Sequence, residues 1–181
     1  TFGTPAYKET KRYNGFHCIE ETSANGITSR TTYDGAGRAV VIETGDSRLE
    51  YEYDALGRQA VSRVYSSATD YISTVKEYDV LGHVTSETVY DTSGTVQHYI
   101  TTVYDPIGNP IEVSTYVNNR PQTTRYYYDS YNRVVQMTDP DGATTYTSWD
   151  DHHPYGEGET LLKVETDPHG NMTTTLYDVF G

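Results

Sequence analysis

Tyr53-Asp54-Ala55-Leu56-Gly57-Arg58 is one copy of a phrase that recurs along this chain. The others read Tyr33-Asp34-Gly35-Ala36-Gly37-Arg38, Tyr78-Asp79-Val80-Leu81-Gly82-His83 and Tyr104-Asp105-Pro106-Ile107-Gly108-Asn109. A fifth, Tyr128-Asp129-Ser130-Tyr131-Asn132-Arg133, has Asn in the Gly place, and a sixth, Tyr177-Asp178-Val179-Phe180-Gly181, stops at the chain end. The Tyr-to-Tyr intervals are 20, 25, 26 and 24 residues, then 49, which reads as two units with a worn copy at Trp149-Asp150. Self-similarity at this period marks a repeat array. Each phrase predicts a turn, because Asp is favoured at the first position of a type I turn and Gly at the fourth. Asn is the non-Gly residue best suited to positive φ, so Asn132 fits the same turn.

Working outward, the whole chain, 1–181, reads as one fragment of an array. A degenerate unit spans 13–32, beginning at Tyr13-Asn14-Gly15-Phe16. Clear units start at 33, 53, 78, 104 and 128, a degenerate one lies near 149, and a truncated one starts at 177. A second set of turn signals lies between the phrases: Thr44-Gly45-Asp46-Ser47, Ser66 to Asp70, Asp91 to Gly94, Asn118-Asn119-Arg120-Pro121, Asp139-Pro140-Asp141-Gly142 and Asp167-Pro168-His169-Gly170. One unit is therefore strand, tight turn, strand, looser turn. Segments such as Val40-Val41-Ile42 and Thr124-Arg125-Tyr126-Tyr127-Tyr128 are dense in β-branched and aromatic residues. Apolar and polar residues alternate at Ile111-Glu112-Val113-Ser114 and at Tyr51-Glu52-Tyr53. No stretch sustains a helical apolar spacing, so the expected class is all-β, an array of antiparallel hairpins forming part of a curved, open sheet of about 14 strands. A propeller is the rival, but its blades need about 40 to 45 residues, nearly twice this unit.

Composition narrows the function. The chain has 19 Tyr against 3 Phe and 1 Trp, and Tyr covers a sheet while keeping a hydroxyl in contact with water or an acceptor. That suits a thin wall wetted on both sides. With 13 Lys and Arg against 26 Asp and Glu the net charge is −13. Such a chain lacks the positive patch that nucleic acid requires; its acidity keeps a large β surface soluble. Cys18 is the only cysteine, which excludes an intrachain disulfide and is compatible with assembly in a reducing cytoplasm. No apolar run reaches the roughly 20 residues of a membrane helix, and no signal peptide is visible. Beginning at Thr1 and ending in an unfinished repeat, the chain reads as a piece of a longer protein.

The Tyr-Asp-x-x-Gly-Arg phrase, the unit length, and Thr138-Asp139-Pro140-Asp141-Gly142 followed by Ala143 to Thr147 together resemble the Rhs, or YD, repeat family, over residues 13 to 181. The resemblance implies a long β-sheet spiralling into a hollow shell. Bacterial members enclose a C-terminal toxin, and the animal teneurins are adhesion receptors. Irregular spacing and the degenerate unit at Trp149 to Gly158 resemble the B or C component of ABC-type (Tc) insecticidal toxin complexes more than a regular polymorphic-toxin array; contact-dependent Rhs effectors and teneurin-like or wall-associated adhesion proteins stay open. The implied partners are the remaining repeats of a parent shell, its toxin cargo and other toxin-complex subunits. The implied parent is bacterial, assembled in the cytoplasm and secreted or extracellular. Family shells end in an Asp-Pro-x-Gly-Leu-like motif that resembles an aspartyl-protease site. Here Ala143 and Asn171 stand where Leu would be, so both Asp-Pro segments read as repeat turns.

Catalytic and metal candidates are weak. Asp150-Asp151-His152-His153, with His169, mixes carboxylate and imidazole as zinc sites do, yet neighbours on a regular strand face apart, and a polar loop is the simpler reading. The same argument separates His17 from Cys18 as a thiol pair and leaves Cys18 as a small buried residue. No nucleophile elbow, phosphate loop or zinc-spaced Cys pair is present. The Asp row needs no glycosidase, because turn capping explains it and paired catalytic carboxylates must converge on one cleft. The Tyr row fits packing between hairpins better than sugar stacking. Asn171-Met172-Thr173 is a glycosylation sequon that matters only on a eukaryotic secretory route. The expectation is a non-enzymatic shell section without cofactor or metal. Its residues of interest are the repeat turns: Tyr33, Asp34, Gly37, Tyr53, Asp54, Gly57, Tyr78, Asp79, Gly82, Tyr104, Asp105, Gly108, Tyr128, Asp129, Asn132, Tyr177, Asp178 and Gly181.

Overall fold

A computed structural model describes the backbone of residues 8–155 and 158–177 and the side chains of 8–151 and 161–177. Asp178 and Gly181 lie outside the described residues. Two units divide the chain, Thr1–Tyr99 and Ile100–Gly181. The first contains β1 (Thr10–Asn14), β2 (His17–Thr22), β3 (Thr28–Tyr33), β4 (Ala39–Thr44), β5 (Ser47–Tyr53), β6 (Gln59–Tyr65), β7 (Tyr71–Tyr78) and β8 (Val84–Tyr90). β9 (Val96–Tyr104) crosses the division. The second unit continues with β10 (Pro110–Val117), β11 (Arg120–Tyr128), β12 (Val134–Thr138), β13 (Thr144–Tyr155), β14 (Gly158–Thr166) and β15 (Met172–Tyr177). In each unit the strands pair antiparallel in chain order. The class is all-β and the motif is the hairpin, for the reason read in the sequence: β-branched and aromatic runs are cut at short intervals by residues that cap or tolerate tight turns.

No apolar side chain is buried among the described residues; the two buried side chains are Ser73 and Ser86. The Ser86 hydroxyl donates to the Glu77 carboxylate at 2.8 Å. Cys18 is half-buried rather than buried, because a sheet without a covering layer leaves even small apolar side chains wet. What holds each unit together internally is the backbone ladder and the side-chain contacts between neighbouring strands.

Two features depart from the sequence reading. The first is a register shift in the hairpins β3–β4, β5–β6, β7–β8, β9–β10 and β11–β12, one residue in from the turn. Pairing passes over Val40, Ala60, Thr85, Ile111 and Val135, and over Ile19 in the first hairpin. The hairpins on the alternate side, β2–β3, β4–β5, β6–β7, β10–β11, β12–β13 and β14–β15, have no such shift. A bulge adds one residue to one strand, bends it and increases its twist, so within each unit bending is concentrated at these hairpins. The alternation at Ile111-Glu112 therefore crosses a change of parity. The second departure concerns the turns. Asp91–Gly94, Asp139–Gly142 and Asp167–Gly170, predicted as looser, close with the same Gly N–H to Asp carbonyl bond as the Tyr-Asp turns, at 3.0 to 3.1 Å. Asp capping dictates that geometry after Thr138 and Thr166 as it does after Tyr.

The β10–β11 turn is of another kind. Asn118 and Asn119 both have positive φ, 49° and 60°, between the paired residues Val117 and Arg120, which is the signature of a type I′ hairpin. Asn119→Gly produces the Asn-Gly pair such turns prefer and is expected to stabilise the chain, by up to about 1 kcal/mol, through relief of left-handed strain. Urea unfolding of the two proteins measures it, as a rise in midpoint at constant slope.

Candidate functional site: a ladder of interlocked turns

Each Tyr-Asp turn is built by its Asp. Asp54 Oδ1 accepts from the Leu56 and Arg58 backbone N–H groups, both at 2.9 Å, while Oδ2 accepts from Arg58 Nε at 2.6 Å. Asp34 is bound in the same way by Ala36 and Arg38, and Asp129 by Tyr131 and Arg133. In the other two turns the side-chain partner is the His83 ring, at 2.9 Å from Asp79, or the Asn109 amide, at 3.0 Å from Asp105. The polar residue after the glycine is thus the second half of the cap.

This capping sets the ionisation of the carboxylates. The Arg38 and Arg58 backbone N–H groups lead in holding Asp34 and Asp54 below the usual carboxylate range. For Asp79, Asp105 and Asp129 desolvation pushes the other way, and the donors at His83, Asn109 and Arg133 outweigh it. A carboxyl with a depressed folded-state pKa contributes stability that is present above its unfolded pKa and lost as pH falls through the folded one. The array is therefore expected to hold its stability down to about pH 4 and lose it below. Acid unfolding followed by circular dichroism checks this, with the change smaller in Asp54→Asn, which keeps an acceptor oxygen and has no charge to lose.

Successive repeats then lock together through the tyrosines. The hydroxyls of Tyr33, Tyr53 and Tyr78 donate to the backbone carbonyls of Cys18, Ala39 and Gln59 at 3.0, 2.8 and 2.7 Å. In the second unit Tyr128 donates to Pro110 at 2.9 Å. Each acceptor is the residue paired with the preceding copy's Tyr, next to the bulged residue: Tyr13 with Cys18, Tyr33 with Ala39, Tyr53 with Gln59, Tyr104 with Pro110. A bulge disrupts the backbone ladder locally, and a buried or half-buried carbonyl needs a donor. The next repeat's hydroxyl supplies it.

Arginine adds the reverse link. The Arg38 guanidinium lies 4.5 Å from the Tyr53 ring centroid and that of Arg58 lies 4.6 Å from Tyr78. Arg58 Nη1 also donates to the Asp79 carbonyl at 2.8 Å. The His17 ring, after the first worn copy, meets Tyr33 at 4.6 Å. One cation therefore holds its own Asp and stacks on the following Tyr.

Trp149 takes the Tyr place. Its indole Nε1 donates to the Val134 carbonyl at 3.4 Å, and Val134 is paired with Tyr128. Arg133 lies 4.9 Å from the Trp149 ring and also holds the Asp151 carboxylate. No turn follows, however. Trp149-Asp150 sits inside β13, which runs on to Tyr155 with a register shift between Asp150 and His153. Tyr177 stacks on Trp149 at 6.5 Å. Indole and phenol are interchangeable here because both combine a flat apolar body with one donor.

Asn132 has φ of 62° and its side-chain oxygen accepts from Asn109 at 3.2 Å, a link glycine could not make. The chemistry-bearing candidates are spread apart: the Cys18 thiol points to the Glu20 carbonyl at 3.5 Å while the His17 ring packs on Tyr33. The His152 and His153 side chains lie outside the described residues, and His169 sits in the β14–β15 turn.

Comparison with known proteins agrees with this construction. Residues 104–145 match the family model described as RHS Repeat. Comparison with curated protein sequences finds no match. Among solved structures, the Photorhabdus luminescens Tc holotoxin pore with a mutation in TccC3 is similar, with a TM-score of 0.65 at 18% identity, over 93% of this chain and 9% of that one. The crystal structure of TcdB2-TccC3-TEV is similar with a TM-score of 0.59 at 17% identity, over the same 93% and 9%. At these identities the likeness is one of fold, and the chain spans 9% of the length of those larger chains. Residues 104–145 are thus similar to an RHS repeat, and the chain as described has an all-β fold similar to that of the Tc toxin-complex structures.

Proposed function

We propose that this chain is a section of the wall of an RHS-repeat shell in a Tc-type toxin complex, which encloses a C-terminal toxin until delivery into a target cell. The observation that carries the reading is the interlock. A sheet with no buried apolar side chain among the described residues is held by contacts from each repeat to the next, so it is a wall that can be lengthened by adding repeats and needs no core behind it. The Tc fold supports the same reading. The role is structural rather than catalytic, its partners are the other repeats, the cargo and further complex subunits, and the assembled protein acts outside the bacterium that makes it. Tyr33, Tyr53, Tyr78 and Tyr128 have their hydroxyls committed to backbone carbonyls, which favours packing over sugar stacking for the Tyr row. Electron microscopy of the full-length parent, with and without its C-terminal region, tests this. A closed cavity whose internal density vanishes on truncation supports enclosure; an open or solid particle unchanged by truncation overturns it.

A further inference from the structure

The sequence contains two Asn-Gly pairs, Asn14-Gly15 and Asn25-Gly26, both with the Asn exposed at a turn. Their surroundings differ in the one respect that matters for amide chemistry. Gly26 N–H donates to the Ser23 carbonyl at 2.9 Å inside a capped turn. Gly15 N–H has no hydrogen-bond acceptor among the described residues, and an added Cβ at Gly15 would meet nothing within 4 Å. Asn14 closes the first hairpin at the end of β1, whose five residues are all exposed, and a hairpin with so little buried surface opens locally at low cost.

We infer that Asn14 is a site of spontaneous deamidation, a modification that ages the first hairpin ahead of the rest of the array. The Gly15 backbone nitrogen attacks Asn14 Cγ, a C–N bond forms, and the side-chain nitrogen leaves as ammonia, carrying away the proton that Gly15 gives up. Water then opens the cyclic imide at either carbonyl, leaving Asp or isoaspartate. The iso form inserts Cβ into the main chain of a two-residue turn and adds a negative charge beside the Asn14–His17 pair. At Asn25 the same attack must first free the Gly26 amide from Ser23, so that site reacts more slowly.

The test incubates the full chain at mildly alkaline pH and body temperature, folded and in denaturant, and maps the tryptic peptide running from Tyr13 to Arg30, which holds both sites. Electron-transfer fragmentation separates Asp from isoaspartate. In the folded chain Asn14 is expected to convert at least about fivefold faster than Asn25, the margin set by one hydrogen bond, and in denaturant the two rates converge. Equal rates in the folded chain, faster loss at Asn25, or an Asn14 that stays intact while folded overturns the inference. Asn14→Gln removes the conversion and leaves the hairpin residues otherwise unchanged. Aged wild type is then expected to be cut by trypsin after Arg12 faster than aged Asn14→Gln, and equal cutting overturns the weakening of the hairpin.

Discussion

Replacing Gly37 by valine is expected to destabilise the array by roughly 2–3 kcal/mol, because a β-branched side chain is forced into a left-handed backbone conformation that glycine adopts without strain. Gly37 sits at φ of 81° at the close of its turn. A second cost is specific to this copy. A Cβ here would lie 2.7 Å from His17 Nε2, and His17 is held in place by its stacking on Tyr33. Gly82 separates the two contributions, since its φ is 97° but a Cβ there meets nothing within 4 Å. Gly37→Ala should therefore cost more than Gly82→Ala in denaturant unfolding. Equal costs would show that the His17 ring moves aside freely and that the dihedral strain is the whole effect.

Tyr53→Ala is expected to cost about 2–3 kcal/mol, below the range for a fully buried aromatic because the ring is only half-buried. The side chain does two jobs for the preceding repeat: its ring lies under the Arg38 guanidinium and its hydroxyl donates to the Ala39 carbonyl at the bulge. Tyr53→Phe keeps the first and removes the second, so it is expected to cost about 1 kcal/mol, the net value of one such bond. Combining Tyr53→Phe with Arg38→Ala in a double-mutant cycle gives additive losses if the two links are separate. Tyr53→Phe with no measurable cost would mean that water satisfies the Ala39 carbonyl as well as the hydroxyl does.

These links explain why the repeat needs Tyr, Asp and a donor together. An Asp-x-x-Gly turn alone does not mark a repeat, since Asp139 and Asp167 make the same turn without a bulge behind it. The repeat is defined by a bulge whose neighbouring carbonyl is answered by an aromatic donor on the next strand. Asn132 and Trp149 show how far the pattern can wear. Asn keeps the positive φ and adds a side-chain bond to Asn109, and Trp keeps the ring and the donor while the chain runs on as a strand.

Most strands and turns are legible in the amino-acid order, but the tightness of the turns at Asp91, Asp139 and Asp167 and the strand through Trp149-Asp150 are not. The legible ones depend on the dihedral preferences and short-range bonds of residues within about five positions of one another, and a repeated phrase displays those preferences several times over. Pairing register was not legible. Whether Val40 or Ile111 is passed over depends on how the whole partner strand aligns, and nothing in an isolated Val or Ile announces a bulge. For the same reason the acceptors of the tyrosine hydroxyls, 14 to 19 residues back in the chain, could be found only once folding had brought every second hairpin side by side. Local chemistry determines where this chain turns, and the packing of one hairpin on the next determines what each tyrosine holds.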